Sequence, residues 1–203
     1  MTDAVEPTTL SSADGDALVR LAAMAVATWV RSGGATSPDA RTAPAAVSGP
    51  GACFVTLRAD GQLRGCIGSL VPHRPLVDDV VANAVAAASR DPRFSPVTAS
   101  ELSRLHIEVS VLEPEQPVSA RSFEELLALV RPGTDGLTVR AGGHRATLLP
   151  AVWEQLPDVD RFLDALWRKA GLRPGSWPSG IEVCRYATVS FGADLSEALA
   201  AQP

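Results

Sequence analysis

The segment at residues 63–69, which reads LRGCIGS, has the clearest capacity for chemistry in this chain. In an extended strand Arg64 and Cys66 point to the same face, with Gly65 and Gly68 beside the thiol. A guanidinium near a thiol favours the nucleophilic thiolate, and glycine lets a ligand approach the backbone closely. The segment therefore predicts a nucleophilic cysteine in an open, electropositive notch. The structural alternative is a buried free cysteine beside a tight glycine bend.

Two further places offer acid–base or anion-binding side chains. His106 and Glu108 share one face of a strand, which makes them candidates for moving protons; the alternative is a solvated strand surface. Arg93, in the run DPRF at 91–94, is a candidate for binding an anionic substrate. The alternative is a structural corner in which Arg93 pairs with an acid such as Glu101.

The sequence lacks the residue spacings that are typical of metal-binding and nucleotide-binding sites. The chain has potential metal ligands, but no pair shows C-x-x-C or H-x-x-x-H spacing. The phosphate-binding motif G-x-x-x-x-G-K-[ST], the dinucleotide motif G-x-G-x-x-G after a strand and the nucleophile elbow G-x-S-x-G are all missing. We therefore expect no cofactor and no metal site. The potential ligands considered are Cys66, Cys184, His106, His144 and Glu108.

The hydrophobic period predicts the elements that position these residues. Two hairpin signals, Asp60-Gly61 and Gly142-Gly143, separate strands, and helical stripes lie between the strands. This pattern predicts an α+β fold with a mostly antiparallel sheet flanked by helices. The strands are predicted at 53–58, 62–70, 105–112, 181–191 and on both sides of Gly142-Gly143. The helices are predicted at 14–30, 76–89, 159–170 and after a Ser122/Glu125 capping box, and 31–51 is predicted to be a loop.

Composition bounds the class of protein. The 203 residues are 46% hydrophobic and 20% charged, which fits a globular domain with a core. No apolar run is long enough for a membrane span, and a net charge of −5 without a basic cluster disfavours nucleic acid. The start lacks a signal-peptide pattern, and three scattered cysteines favour a reducing compartment. We expect a soluble cytoplasmic protein with a disordered lead at 1–12.

The run FVTLRADGQLRGCIGSL at 54–70 resembles the signature of the AMMECR domain family. The resemblance extends over roughly residues 14–191, with its motifs in the family's order. They include DPRF at 91–94, IEVSVL at 107–112, DGL at 135–137, ATLLP at 146–150 and KAGL at 169–172. Bacterial and archaeal members are called AmmeMemoRadiSam system protein A, a name that records association with a Memo-like protein and a radical SAM protein.

The resemblance implies that 13–203 form a single AMMECR-like domain of two unequal lobes. The larger lobe contains both chain ends, the smaller is an inserted α/β lobe, and LRGCIG (63–68) is expected near the groove between them. The family has no settled biochemical activity. Carried over to this sequence, the motif positions are Arg64, Gly65, Cys66 and Gly68, with Arg93, Phe94 and Glu101 in support.

The chain departs from the family pattern at two places that bear on function. Asp135 stands where many members have histidine, and Ala151 stands where many have glutamine. Three hypotheses follow. Cys66 is the nucleophile of a thiol-dependent enzyme, with Arg64 holding the thiolate or an anionic substrate and His106 or Glu108 moving protons. Alternatively, the protein is a non-catalytic adaptor for the Memo-like and radical SAM proteins, with Trp177 and Arg93 as contact residues, or LRGCIG is only a structural bend.

Overall fold

The computed structural model describes residues 10–33 and 47–201, which form two four-stranded sheets, each packed against helices, and one short two-stranded pair. Unit 1 combines the chain up to Leu112 with the segment from Val189 onward, and unit 2 is continuous from Glu113 to Thr188. This composition confirms the α+β class predicted from the sequence. The predicted lead at 1–12 and loop at 31–51 fall largely on residues 1–9 and 34–46, which lie outside the described residues.

Unit 1 contains a four-stranded sheet in the order β10-β5-β2-β3, in which β2 is antiparallel to both β3 and β5. A short antiparallel pair, β1 with β4, stands beside the start of α2. The elements are α1 (Ser12–Ser32), β1 (Pro50–Gly51), β2 (Cys53–Ala59), β3 (Gln62–Gly68), β4 (Arg74–Pro75), α2 (Leu76–Ser89), a 3-10 helix (Ala99–Arg104), β5 (Leu105–Leu112), β10 (Thr188–Asp194) and α5 (Leu195–Ala200).

Strict alternation along β2 and β5 divides this sheet into a buried face and a polar face. On β5 every second residue from Leu105 is buried, and on β2 Cys53, Val55 and Leu57 are buried. The buried face packs with apolar residues of α1, α2 and α5 in one core. Many of the buried helical residues are alanines, whose small side chains let the helices approach closely. The polar face carries Thr56, Cys66 and Glu108.

Unit 2 has its own four-stranded sheet, in the order β6-β9-β7-β8, and its own core. Helix α4 contributes Phe162, Leu163, Leu166 and Trp167, all fully buried, as its 3.6-residue stripe predicts. The elements are β6 (Gln116–Pro117), α3 (Phe123–Leu129), β7 (Gly136–Ala141), β8 (His144–Leu148), a 3-10 helix (Pro150–Glu154), α4 (Val159–Lys169) and β9 (Glu182–Tyr186).

The last part of the chain differs from the sequence prediction. The prediction of a single strand at 181–191 is wrong, because two strands occupy this region. The first, β9, pairs within unit 2, and the second, β10, joins the sheet of unit 1. Alternation runs through both strands, so the pattern alone does not reveal that the chain changes sheets. The alanine-rich tail contains α5, which buries Leu195 and Ala198. In the described part of the chain, none of the helices combines the length and apolar character that a membrane span requires.

Candidate functional site

The β2–β3 hairpin presents LRGCIG at the edge of the sheet of unit 1. Its turn contains Asp60 and Gly61, both with positive φ (50° and 78°), as a two-residue hairpin turn requires. Thr56 lies directly opposite Cys66, and the register shifts opposite the step from Leu57 to Arg58. This irregularity falls at Arg64 on β3, so the simple alternation that was expected to align Arg64 with Cys66 is interrupted there.

The two glycines of the segment are required by protein packing. A Cβ on Gly65 would lie 2.2 Å from the carbonyl oxygen of Ala87 in α2, and a Cβ on Gly68 would lie 2.3 Å from the ring of Phe54. On the side to which their Cβ atoms would point, the backbone at both glycines is covered by protein. The expectation that glycine leaves it open to a ligand is therefore wrong on that side. Glycine lets helix α2 and the Phe54 ring close over the strand.

Arg64 forms an ion pair with Glu101, and this overturns two sequence interpretations. Its Nε donates to Glu101 Oε1 at 2.6 Å, and its Nη2 donates to Oε2 at 3.3 Å and to the carbonyl oxygen of Pro96 at 3.3 Å. Arg64, rather than Arg93, is thus the partner of Glu101, and it is not free to hold the thiolate. The hydrogen bond from Arg64 lowers the pKa of Glu101 from 4.5 to about 2, and bonds from Thr98 act in the same direction.

Asp91 and Arg93 hold the backbone of Cys66 from outside the sheet. Asp91 is buried and accepts the Cys66 backbone N–H at 2.8 Å, and Arg93 Nη2 donates to the Cys66 carbonyl oxygen at 3.4 Å. The two side chains form a two-point ion pair, at 3.0 and 2.7 Å. The hydrogen bond from Arg93, followed by those from the backbone, holds the pKa of Asp91 well below its ordinary value. The corner at 91–94 therefore fixes the exposed edge of β3 at Cys66.

Arg93 places a positive charge beside the backbone of Cys66. The pKa of its guanidinium is raised, mainly by the hydrogen bond with Asp91, and the charge of Cys66 acts in the same direction. The ring of Phe94 lies 5.4 Å from the Arg93 guanidinium carbon and 5.9 Å from that of Arg64, within cation–π range of both. The side chain of Arg93 is 53% exposed, and its guanidinium reaches the backbone carbonyl oxygen of Cys66.

The thiol of Cys66 is half-buried on the polar face of the sheet, where Thr56 Oγ1 donates a hydrogen bond to Sγ at 3.4 Å. Glu108 lies opposite Thr56 on the other side of β2, so the three side chains form one row across the sheet. A hydroxyl that donates to sulfur stabilises the thiolate, since a thiolate is an acceptor only. The row combines a thiol, a hydroxyl that donates to it and a carboxyl group.

The acid–base candidates share this face, as alternation predicted, but they bond to other groups. His106 Nδ1 lies 3.0 Å from Asp194 Oδ1, and Glu108 accepts a hydrogen bond from Ser110 Oγ at 3.3 Å. Neither side chain is hydrogen-bonded to Sγ of Cys66 within the described residues. The catalytic roles of Cys66, His106 and Glu108 stay predictions.

A buried polar network around Asp79 was missed by the sequence analysis, which assigned no role to Asp79 or Asn83. Asp79 is fully buried and accepts hydrogen bonds from side chains on both sides of the hairpin. The network ties the start of β2 and the segment after β3 to α2, and so fixes both ends of the hairpin. A usable signal was the i,i+4 spacing of two polar side chains beside an apolar stripe. The donors are the side chains of Cys53, Ser69, Arg74 and Asn83 and the backbone N–H of Cys53.

The other two cysteines differ from Cys66. Cys53 is fully buried, and burial followed by the charge of Asp79 raises the pKa of its thiol. Cys184, in unit 2, is half-buried, and Arg140 Nη1 lies 3.6 Å from its Sγ. Burial raises the pKa of the Cys184 thiol as well. Among residues 10–33 and 47–201, no three histidine, cysteine, aspartate or glutamate side chains are grouped as a metal ion would need.

The remaining residues singled out from the sequence have structural partners in unit 2. Trp177 is half-buried and stacks on Trp167 with ring centroids 6.3 Å apart, so it is not the exposed loop aromatic that was expected. His144 lies 2.8 Å from the carbonyl oxygen of Ala170. Asp135, which departs from the family pattern, is fully buried and pairs with Arg131 and Arg185.

Comparison with known proteins identifies relatives over nearly the whole chain. A protein of Thermofilum pendens is 39% identical over 90% of this chain and 91% of its own length, and one of Aeropyrum pernix is 41% identical over 90% and 80%. The crystal structure of the uncharacterized protein PH0010 from Pyrococcus horikoshii matches with a TM-score of 0.78 and 32% identity, covering 91% of this chain and 94% of that one. The AMMECR1 family model matches residues 19–191. The chain belongs to the AMMECR1 family.

Proposed function

We propose that this protein binds a small molecule or a modified side chain at LRGCIG (63–68), where Cys66 acts as the nucleophile. The observation that carries the proposal is the arrangement at Cys66 itself. Asp91 and Arg93 hold its backbone on both sides, and Thr56 donates to its half-buried sulfur. A thiol fixed in position, with a hydrogen-bond donor and a guanidinium nearby, suits attack on an electrophilic carbon.

The chemistry at sulfur is a simple substitution or addition. The lone pair of the Cys66 thiolate forms the new S–C bond, and the electron pair of the bond that breaks leaves with the displaced group or moves to oxygen. The thiol proton passes to solvent. Thr56 and Arg93 stabilise the thiolate before attack, so this step needs no base bonded to sulfur.

Members of this family are associated with a Memo-like protein and a radical SAM protein. We propose these two proteins as partners, and a reducing cytoplasm as the compartment. The free state of Cys53, Cys66 and Cys184 supports the compartment.

A non-catalytic adaptor is the second candidate function, and one observation favours it. His106 and Glu108 are bonded to Asp194 and Ser110, so the proton-moving groups expected of an enzyme are occupied elsewhere. In this alternative the segment recognises a partner protein, and the thiol makes no bond.

Alkylation by iodoacetamide, followed at each cysteine by mass spectrometry in the native and the urea-unfolded protein, tests the nucleophile. Cys184 is the matched control, because it is also half-buried and beside an arginine. We expect native Cys66 to react at least about tenfold faster than native Cys184 and far faster than Cys53, because burial raises the pKa of those two thiols. We expect Thr56→Val to slow Cys66 severalfold, since the sulfur loses its donor.

If Cys66 in the native protein is as fully protected from alkylation as Cys53, the proposal that Cys66 is a nucleophile is contradicted. The adaptor is then tested by co-purification with a co-expressed Memo-like protein and radical SAM protein. An adaptor predicts that Cys66→Ser leaves co-purification intact while Arg93→Glu abolishes it. Failure of the wild-type protein to co-purify with either contradicts the adaptor.

A further inference from the structure

Arg58 lies on the same polar face as the Cys66 thiol. It follows Thr56 by two residues on β2, and Thr56 is the cross-strand partner of Cys66. The register shift after Leu57 places Arg58 opposite Leu63, three residues from Cys66, so the two are slightly farther apart than regular diagonal neighbours, whose Cα atoms are roughly 7–8 Å apart and within reach of a long side chain. The pairing of β2 with β5 continues without a shift through Arg58 and His106, so the irregularity in β3 does not turn Arg58 toward the core.

Arg58 takes part in none of the ion pairs described around this face. Arg58 is exposed, and no hydrogen bond or ion pair joins its side chain to any other residue within 10–33 and 47–201. The other charged side chains nearby already have partners. The pairs are Arg64 with Glu101, Arg93 with Asp91, Arg104 with Asp60, and His106 with Asp194.

Within the row formed by Cys66, Thr56 and Glu108, Glu108 is the carboxylate that could bind Arg58. Its hydrogen bond, however, joins it to a residue on the side away from Arg58. It accepts from Ser110, which lies opposite Phe54, whereas Arg58 lies opposite His106. Arg58 and Ser110 therefore stand on opposite sides of Glu108 along the strands. The guanidinium keeps its full donor capacity for an oxygen anion, which it binds best through two parallel N–H groups.

We propose that the ligand attacked by Cys66 carries an anionic oxygen group, a carboxylate or a phosphate, and that Arg58 binds this group. The inference rests on the proposed function, because it assigns a substrate class to the same thiol. The ligand's electrophilic carbon then lies at Sγ, and its anionic end lies a few bonds away over Thr56. Arg58 thus takes the substrate-binding part that the sequence analysis gave to Arg64.

Paired alkylating reagents test this assignment. Iodoacetate and iodoacetamide place the same electrophilic carbon on Cys66 and release iodide, but only iodoacetate is an anion. The measured quantity is the ratio of their rate constants at Cys66, which cancels changes in the reactivity of the thiol itself. We expect Arg58→Gln to lower the iodoacetate-to-iodoacetamide ratio about threefold, the size expected for one exposed charge pair at about 6 Å.

Three companion variants and one salt series accompany this measurement. Arg58→Lys keeps the charge and is expected to keep most of the ratio. Glu108→Gln removes the competing anion and is expected to raise the ratio. Arg31→Gln, on the exposed last turn of α1, is the matched control for the change in net charge and is expected to leave the ratio alone. The ratio of the wild-type protein should also fall as salt screens the charge.

The outcomes separate the inference from the function on which it rests. If Cys66 reacts readily with iodoacetamide but Arg58→Gln leaves the ratio unchanged, the anionic substrate is refuted and the nucleophile stands. The anionic substrate is refuted in the same way if Arg31→Gln lowers the ratio as much as Arg58→Gln. If native Cys66 reacts with neither reagent, the proposed function itself fails.

Discussion

Replacing Glu101 by glutamine tests whether the ion pair with Arg64 stabilises unit 1. The side chains of Arg64 and Glu101 are 16% and 17% exposed, and their closest contact is 2.6 Å. Folding lowers the pKa of Glu101 from 4.5 to about 2, chiefly through the hydrogen bond from Arg64. Each unit of such a change corresponds to about 1.4 kcal/mol, so after allowance for solvent screening the pair contributes about 2 to 3 kcal/mol at neutral pH.

The sign of the pH dependence follows from the lowered pKa. The stabilisation is fully present above about pH 4.5, where the unfolded carboxyl is ionised, and it is lost as the pH falls toward about 2. Glutamine cannot ionise at any pH. The difference in unfolding free energy between wild type and Glu101→Gln is therefore greatest at neutral pH. By about pH 3 it should fall to less than half of that value.

The assay is urea unfolding followed by circular dichroism, to which α1 and α2, the longest helices described, contribute most. Glu197→Gln is the control, because it removes an exposed carboxylate of the same unit. We expect the control to change stability by no more than about 0.5 kcal/mol. A Glu101→Gln effect of the same size at neutral pH and at about pH 3 refutes the charge pairing, and an effect no larger than the control's refutes its stabilising role.

Two further substitutions test the packing of each unit by the same unfolding assay. Gly65→Ala is expected to cost about 1 to 3 kcal/mol, because its Cβ would lie 2.2 Å from the backbone oxygen of Ala87. Gly49→Ala, with no atom within 4 Å of the added Cβ, is the control, and equal effects of the two would contradict the close approach of α2. Asp135→Asn should destabilise unit 2 by about 1 to 3 kcal/mol, since it removes the buried charge that pairs with Arg131 and Arg185, whose own side chains stay partly exposed. A loss smaller than that of the exposed pair variant Asp164→Asn would show that Asp135 does not hold these arginines.

The parts of the fold that sequence predicts well are those set by local pattern. The hairpin around Asp60-Gly61 and the helix at 76–89 depend on residues only a few positions apart, and both are present. The polar face shared by His106 and Glu108 follows from two-residue alternation alone. Where one chain segment serves two sheets, as β9 and β10 do, alternation continues unchanged and the prediction of a single strand fails.

The partners of the site residues were not predictable, because they are set by contacts distant in the sequence. Arg64 and Glu101 are 37 positions apart, and Asp91 reaches a backbone N–H 25 positions away. The sequence gives each arginine a choice among several acids, so Glu101 was named only as one possible partner of Arg93, whereas it pairs with Arg64. The irregularity in β3 at Arg64 has a partial local signature in Gly65, since glycine inside a strand often marks a bulge, but the sequence does not show which residue becomes the extra one.

The residues around the thiol in LRGCIG have packing or pairing roles in the structure. The thiol itself does not. Gly65 admits α2, Gly68 admits Phe54, Arg64 pairs with Glu101, and Ile67 joins the core. The side chain of Cys66 is different. Its sulfur stands on the polar face, and the hydrogen bond that it accepts from Thr56 is one that a serine hydroxyl would accept as well. The structural bend thus explains the residues around the thiol but not the choice of sulfur. The proposed nucleophilic role accounts for that choice, and so Cys66 and not its neighbours is the residue on which a search for the substrate should begin.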